Sequence, residues 1–217
     1  MNFHIPYLDD IILLCAILFP GSITSILDII QKRYSFTRRM LNNIVPYIFL
    51  ITFIIVLKRD TFIFFNLPQW YFYIIALVCG VGILFIEYYI GAFIVLIQYK
   101  QFPKGIKVSS EYKDISKVID VILIILFIIC EELIFRQAFF TILYFDMRLN
   151  IYLIFFLISL FYGLNHLFFG LKVLPQKIIT GFIYTGLYYF SGFAIIVPII
   201  AHVVQNCSLI ILSKKEK

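Results

Sequence analysis

Apolar runs long enough to cross a bilayer recur along the whole 217-residue chain, and that recurrence constrains the fold more than any other feature. A helix needs roughly 20 such residues to traverse the hydrocarbon layer. Spans are expected at 11–31, 43–57, 70–98, 118–140, 150–171, 175–191 and 193–213. The second is short, and the third is long enough to tilt strongly or break in two. The expected fold class is therefore an all-α polytopic membrane bundle of seven or eight transmembrane helices. Composition agrees, because 63% hydrophobic and 14% charged residues with a mean hydropathy of +1.01 lie far outside the range of soluble domains. The runs do not alternate as the strands of a membrane barrel would. "FPGS" at 19–22 predicts a kink in the first span, and Asp9 and Asp10 ahead of it argue against a cleavable signal.

The basic residues give the orientation. Lys32, Arg33, Arg38 and Arg39, then Lys100, Lys104, Lys107, Lys113 and Lys117, then Lys172 and Lys177, and finally Lys214, Lys215 and Lys217 fall on one side of the expected bundle. Lys58, Arg59 and Arg148 fall on the other. Positive residues gather in cytoplasmic loops, so the C-terminus is expected in the cytoplasm and the N-terminus outside a plasma membrane, with an eighth span reversing the latter. The net charge of +6 then reads as topology and attraction to anionic membrane lipid, with no nucleic-acid partner. Cys15, Cys79, Cys130 and Cys207 show no CxxC spacing and read as small packing residues. The polar loop at 99–117 divides the chain into residues 1–112, with N-terminal transmembrane helices and basic loops, a core at 113–213, and a basic cytoplasmic tail at 214–217.

The core carries charges where hydrocarbon is expected. "IICEELIFRQ" at 128–137 places Glu131, Glu132 and Arg136 inside the fourth span, and a charge at mid-membrane costs about 2.5–3.5 kcal/mol on insertion scales. Glu132 and Arg136 are four apart, with the glutamate first, which suits an ion pair on one helix face. Glu131 points about 100° away and needs partners of its own. "FYGLNHLFFG" places Asn165 and His166 in the next span, and "AHVVQN" places His202 and Asn206 on one face of the last. These groups satisfy one another only by converging, and a carboxylate, two imidazoles and an amide are the composition of a hydrolytic site. A desolvated glutamate suits a general base acting on water, a neighbouring imidazole can hold that water, and a second imidazole and a carboxamide can stabilise an oxyanion. Alternatively, Glu131, His166 and His202 are a ligand set that leaves one position on zinc open, although HExxH is absent. Glu87 lies mid-span and bonds another helix or lines the cavity, Asp28 and Asp120 reach interfacial water near span ends, and "CGVG" at 79–82 permits close helix packing. The Tyr and Phe residues read mostly as lipid-facing and interfacial anchors.

The three polar stretches, in this order, resemble the CAAX-processing and bacteriocin-processing (CPBP, or Abi) family of intramembrane proteases, whose pattern is EExxxR, FxxxH and HxxxN on separate membrane helices. "EELIFR" at 131–136 and "HVVQN" at 202–206 are complete. In the second stretch Tyr162 stands four residues before His166 in place of Phe, and Phe161 comes one position earlier. The resemblance covers about residues 113–213 and makes that segment the protease core. It implies Glu131 as the water-activating carboxylate with His166 assisting, His202 and Asn206 as oxyanion stabilisers, and Glu132 with Arg136 as the supporting pair. It also implies a peptide or lipidated protein as substrate, with CAAX-type or bacteriocin-type processing and self-immunity as the roles. The family is described both as metalloproteases and as glutamate proteases without a required metal, and the metal-free version is the expectation, with zinc the alternative. Two rival readings are a non-proteolytic scaffold that binds a sensor kinase or secretion partner, and an ion-coupled transporter, which would need inverted repeats that the sequence lacks.

Overall fold

Apolar chain inside a bilayer must satisfy its backbone polar groups within each segment, and the apolar runs fold accordingly as helices. The computed structural model describes residues 8–17, 35–62, 66–101, 115 and 117–215. Among these there are seven α-helices and no strand: α1 (Leu8–Ile17), α2 (Phe36–Leu57), α3 (Tyr71–Tyr99), α4 (Val118–Glu132), α5 (Ile151–Asn165), α6 (Leu174–Phe190) and α7 (Ile196–Lys215). The expected kink at 19–22, Asp28 and most of the polar loop at 99–117 lie outside the described residues. The starts are set by local chemistry. Ser35 accepts from the Arg38 N–H at the head of α2, Asn150 accepts from the Tyr152 N–H ahead of α5, and Pro175 occupies the first turn of α6.

By length and composition α2, α3 and α7 can each cross a membrane. α3 runs unbroken for 29 residues, so the split that would add a span does not occur there. α5 and α6 are shorter, with 15 and 17 residues, or about 22 and 25 Å against the roughly 30 Å of hydrocarbon. The fourth span does not end with α4. It widens into a π-helix over Leu133–Phe139 and again over Ile142–Asp146, and such widened turns re-aim the side chains that follow them.

Pairs of helices build the bundle, with α5 against α6, α3 against α7 and α2 against α4. α3 and α7 approach closely because Gly80 has no side chain. A Cβ there would lie 2.5 Å from the Ala201 carbonyl oxygen and 2.8 Å from Val204 Cβ. Asp120 does not reach water as its place near a span end suggests. It is buried, accepts the Thr37 hydroxyl at 2.5 Å and caps the Lys117 N–H. Many aromatics also turn inward, and Phe140, Tyr188 and Phe193 stack as one core cluster. At the opposite end from Asp120, Lys58 bridges Asp10 of α1 and Asp146, the latter at 2.7 Å. Partial burial opposes the Lys58 charge, but the hydrogen bonds to Asp10 and Asp146 outweigh it and hold its pKa above the ordinary lysine value.

Candidate active site

Glu132 and Arg136 are both fully buried, and the widened helix keeps them in contact. Arg136 Nη1 donates to Glu132 Oε1 at 3.3 Å, and Nε stands 3.3 Å from Oε2. The guanidinium lies over the Tyr162 ring at 4.3 Å and faces Tyr184 at 5.2 Å, which compensates its burial through the negative faces of the rings. Its Nη2 reaches the Gly181 carbonyl at 3.4 Å. Gly181 lets α6 lie against α5, since a Cβ there would be 3.1 Å from the Ser159 Cα and 3.0 Å from the Tyr162 ring. The tyrosine that stands where the family pattern has Phe thus packs directly on the buried arginine.

His202 comes to the same carboxylate from α7, with Nδ1 2.8 Å from Glu132 Oε1. Its ring lies against Tyr184 at 5.0 Å between centroids, and Tyr184 donates its hydroxyl proton to Gln205, one turn further along α7. Asn206, also one turn from His202, donates its amide to the His202 carbonyl at 3.2 Å.

Glu131 turns to different partners. The Tyr47 hydroxyl of α2 donates to its Oε1 at 3.3 Å, and the Asn165 amide donates to the Tyr47 oxygen at 2.8 Å. His166, which caps the end of α5, places Nε2 3.9 Å from the same Oε1. Its Nδ1 is 2.8 Å from the Tyr162 carbonyl. A carbonyl only accepts, so in the neutral ring the proton sits on Nδ1 and the lone pair on Nε2. The structure therefore brings Glu131, Glu132, Arg136, His166 and His202 into one buried cluster, with Asn206 at its edge. Glu131 and His166 form one arm, and Glu132, Arg136 and His202 form the other.

Zinc is the cofactor the family resemblance raises. His202 holds Nδ1 on Glu132 and His166 holds Nδ1 on a backbone carbonyl, bonds that leave each Nε2 available to a metal. Among the described residues no three His, Cys, Asp or Glu side chains stand together as an ion-holding group.

Several contributors have no motif signal. Tyr47 comes from the N-terminal half, and Tyr184 and Gln205 brace His202 without belonging to a recognisable spacing. Glu87, singled out as a mid-span carboxylate, pairs with Lys177 at 2.7 Å and accepts from Thr180 at 2.8 Å, tying α3 to α6 beside the cluster. The polar network thus reaches back across the loop that divides the sequence.

No curated protein and no solved structure matches the chain. Residues 116–208 match the family described as Type II CAAX prenyl endopeptidase Rce1-like, and this segment holds Glu131, Glu132, Arg136, His166, His202 and Asn206. Helices long and apolar enough to cross a membrane mark the chain as an integral membrane protein, and its residues 116–208 are similar to the Rce1-like family of type II CAAX prenyl endopeptidases.

Proposed function

We propose that this chain hydrolyses peptide bonds of lipidated or membrane-associated polypeptides, bacteriocin-like peptides included, with a water activated by Glu131. The observation that carries the reading is the pair of acceptors in the bundle interior, Glu131 Oε1 and His166 Nε2, 3.9 Å apart. That distance is too long for a direct hydrogen bond. A water held between two acceptors donates one proton to each and turns a lone pair toward the scissile carbonyl. As its oxygen bonds to the carbonyl carbon, Glu131 takes the proton, and the carbonyl oxygen gains negative charge. His202 and the Asn206 amide are the donors for that charge. His202 gives a proton from Nε2 only when both ring nitrogens are protonated, and Glu132, against its Nδ1, balances the charge that results. Arg136 fixes Glu132 in turn. When the C–N bond breaks, Glu131 returns its proton to the leaving nitrogen.

Substrate access follows from the short helices. α5 ends at His166, level with Glu131 in the bundle, and α6 restarts only at Leu174. Irregular backbone at membrane depth is tolerated where it is covered by protein or lines a watery cavity. Lys172 of this link lies 5.1 Å from the Tyr99 ring at the end of α3, which puts the link on the basic side; this reading places that side in the cytoplasm of a plasma-membrane protein and has the substrate enter there. A helix hides its amides, so a substrate reaches the site as an extended tail. The test compares the peptides released by membranes bearing the wild-type chain and Glu131→Gln, a substitution that removes the base and keeps the shape. Fragments present only with the wild type are expected, and identical fragment sets would defeat the reading.

A further inference from the structure

Tyr47 lies outside the matched segment, yet its side chain is fully buried against the candidate base. Its ring stands edge-on to Phe127 at 4.8 Å. An ionised carboxylate accepts and does not donate, so the phenol is the donor toward Glu131. The Asn165 amide nitrogen only donates, so the phenol oxygen accepts there at 2.8 Å. The single phenol proton is then directed to Glu131 Oε1, 3.3 Å away. Asn165 immediately precedes His166, so the same helix end supplies both the imidazole facing Glu131 and the amide that orients Tyr47. We propose that Tyr47 is a positioning residue that holds the Glu131 carboxylate through a one-way relay from Asn165 to Tyr47 to Glu131.

The proposal rests on the reading of Glu131 as the base. A carboxylate with no donor at Oε1 is free to rotate, and both acceptors that hold the water then lose their register. One proton from Tyr47 pins Oε1, the oxygen that also faces His166. The site is accordingly not contained in residues 116–208. An N-terminal helix completes it.

Tyr47→Phe removes the hydroxyl and keeps the ring. In membranes it is expected to slow release of the Glu131-dependent fragments by about 10- to 100-fold, the usual scale for a hydrogen bond to a charged or supporting group. Asn165→Ala is expected to cause part of the same loss and to add nothing in the Tyr47→Phe background, because both act along one relay. A readout independent of substrate is the infrared carboxylate band of the purified protein in lipid that disappears in Glu131→Gln. That band should shift in Tyr47→Phe. If Glu131→Gln abolishes release while Tyr47→Phe leaves rate and band at wild type, the hydrolytic reading stands and this proposal falls. Losses from Tyr47→Phe and Asn165→Ala that multiply would also overturn it. Release that survives Glu131→Gln removes the base and the proposal together.

Discussion

A carboxylate buried in a membrane bundle is costly unless it is paired, and Glu132 meets that cost by lying between Arg136 and His202. Its neighbour Glu131 is met, among the described residues, by the Tyr47 hydroxyl and the His166 imidazole rather than by a bonded cation. The two glutamates should therefore fail differently. Glu132→Ala leaves Arg136 as a buried charge without its anion, which typically costs about 3–5 kcal/mol, and unfolding in detergent should register that loss along with the loss of activity. Glu131→Gln should unfold close to the wild type while being inactive. Equal stability of the two variants would mean that the pairing is misassigned. Half of this division was legible in the sequence, because four-residue spacing on a helix predicts the Glu132–Arg136 pair. The partner of Glu131 was not. Tyr47 is 84 residues away, and a tyrosine inside an apolar span carries no spacing that separates a site residue from a lipid anchor.

Helix positions were legible and helix ends much less so. Hydropathy sees the apolar stretch from 150 to 171 as one span, since Leu167, Phe168, Phe169 and Leu171 continue the run after His166. The chain instead leaves the helix at His166, makes a short 3-10 turn over Leu167–Phe169, and passes through Gly170 at φ 109°. Only glycine adopts that conformation without strain. The early stop is what puts His166 at the level of Glu131. Close packing between elements was half-signalled by "CGVG", and the structure separates its two glycines. Gly80 lies against α7, whereas Gly82 has open space where a side chain would go. Gly80→Ala therefore drives a methyl into the Ala201 carbonyl oxygen, next to His202, and must displace α3 from α7. Overpacking of this kind costs about 1–3 kcal/mol, so a lowered melting temperature and slower fragment release are expected. Gly82→Ala should match the wild type in both, and similar losses at the two glycines would show that the α3–α7 contact does not govern the site.

At the scale of the whole molecule, contacts between helix ends define two faces without reference to a membrane. Lys58 against Asp146 puts the ends of α2 and the fourth span at one level, and the Asn66 amide bonds the Gly192 carbonyl at 2.7 Å, joining the α2–α3 and α6–α7 links there. Thr37 against Asp120 joins the starts of α2 and α4 at the other face. The first face carries little unbalanced positive charge, because Asp9, Asp10, Asp60 and Asp146 accompany Lys58, Arg59 and Arg148 there, with Lys58 bonded to Asp10 and Asp146. The second gathers Arg38, Arg39, Lys100, Lys117 and Lys214. A cytoplasmic second face is the arrangement that charge bias favours, and it would make the α5–α6 link an opening for tails presented from the cytoplasm. A membrane-impermeant thiol reagent on intact cells tests this, using a chain whose native cysteines are replaced and a single cysteine placed either in the Asn66–Gln69 link or after Lys217. Labelling of the first from outside, and of the second only after permeabilisation, is expected. The reverse pattern would turn the molecule over and place the site's opening on the outer surface.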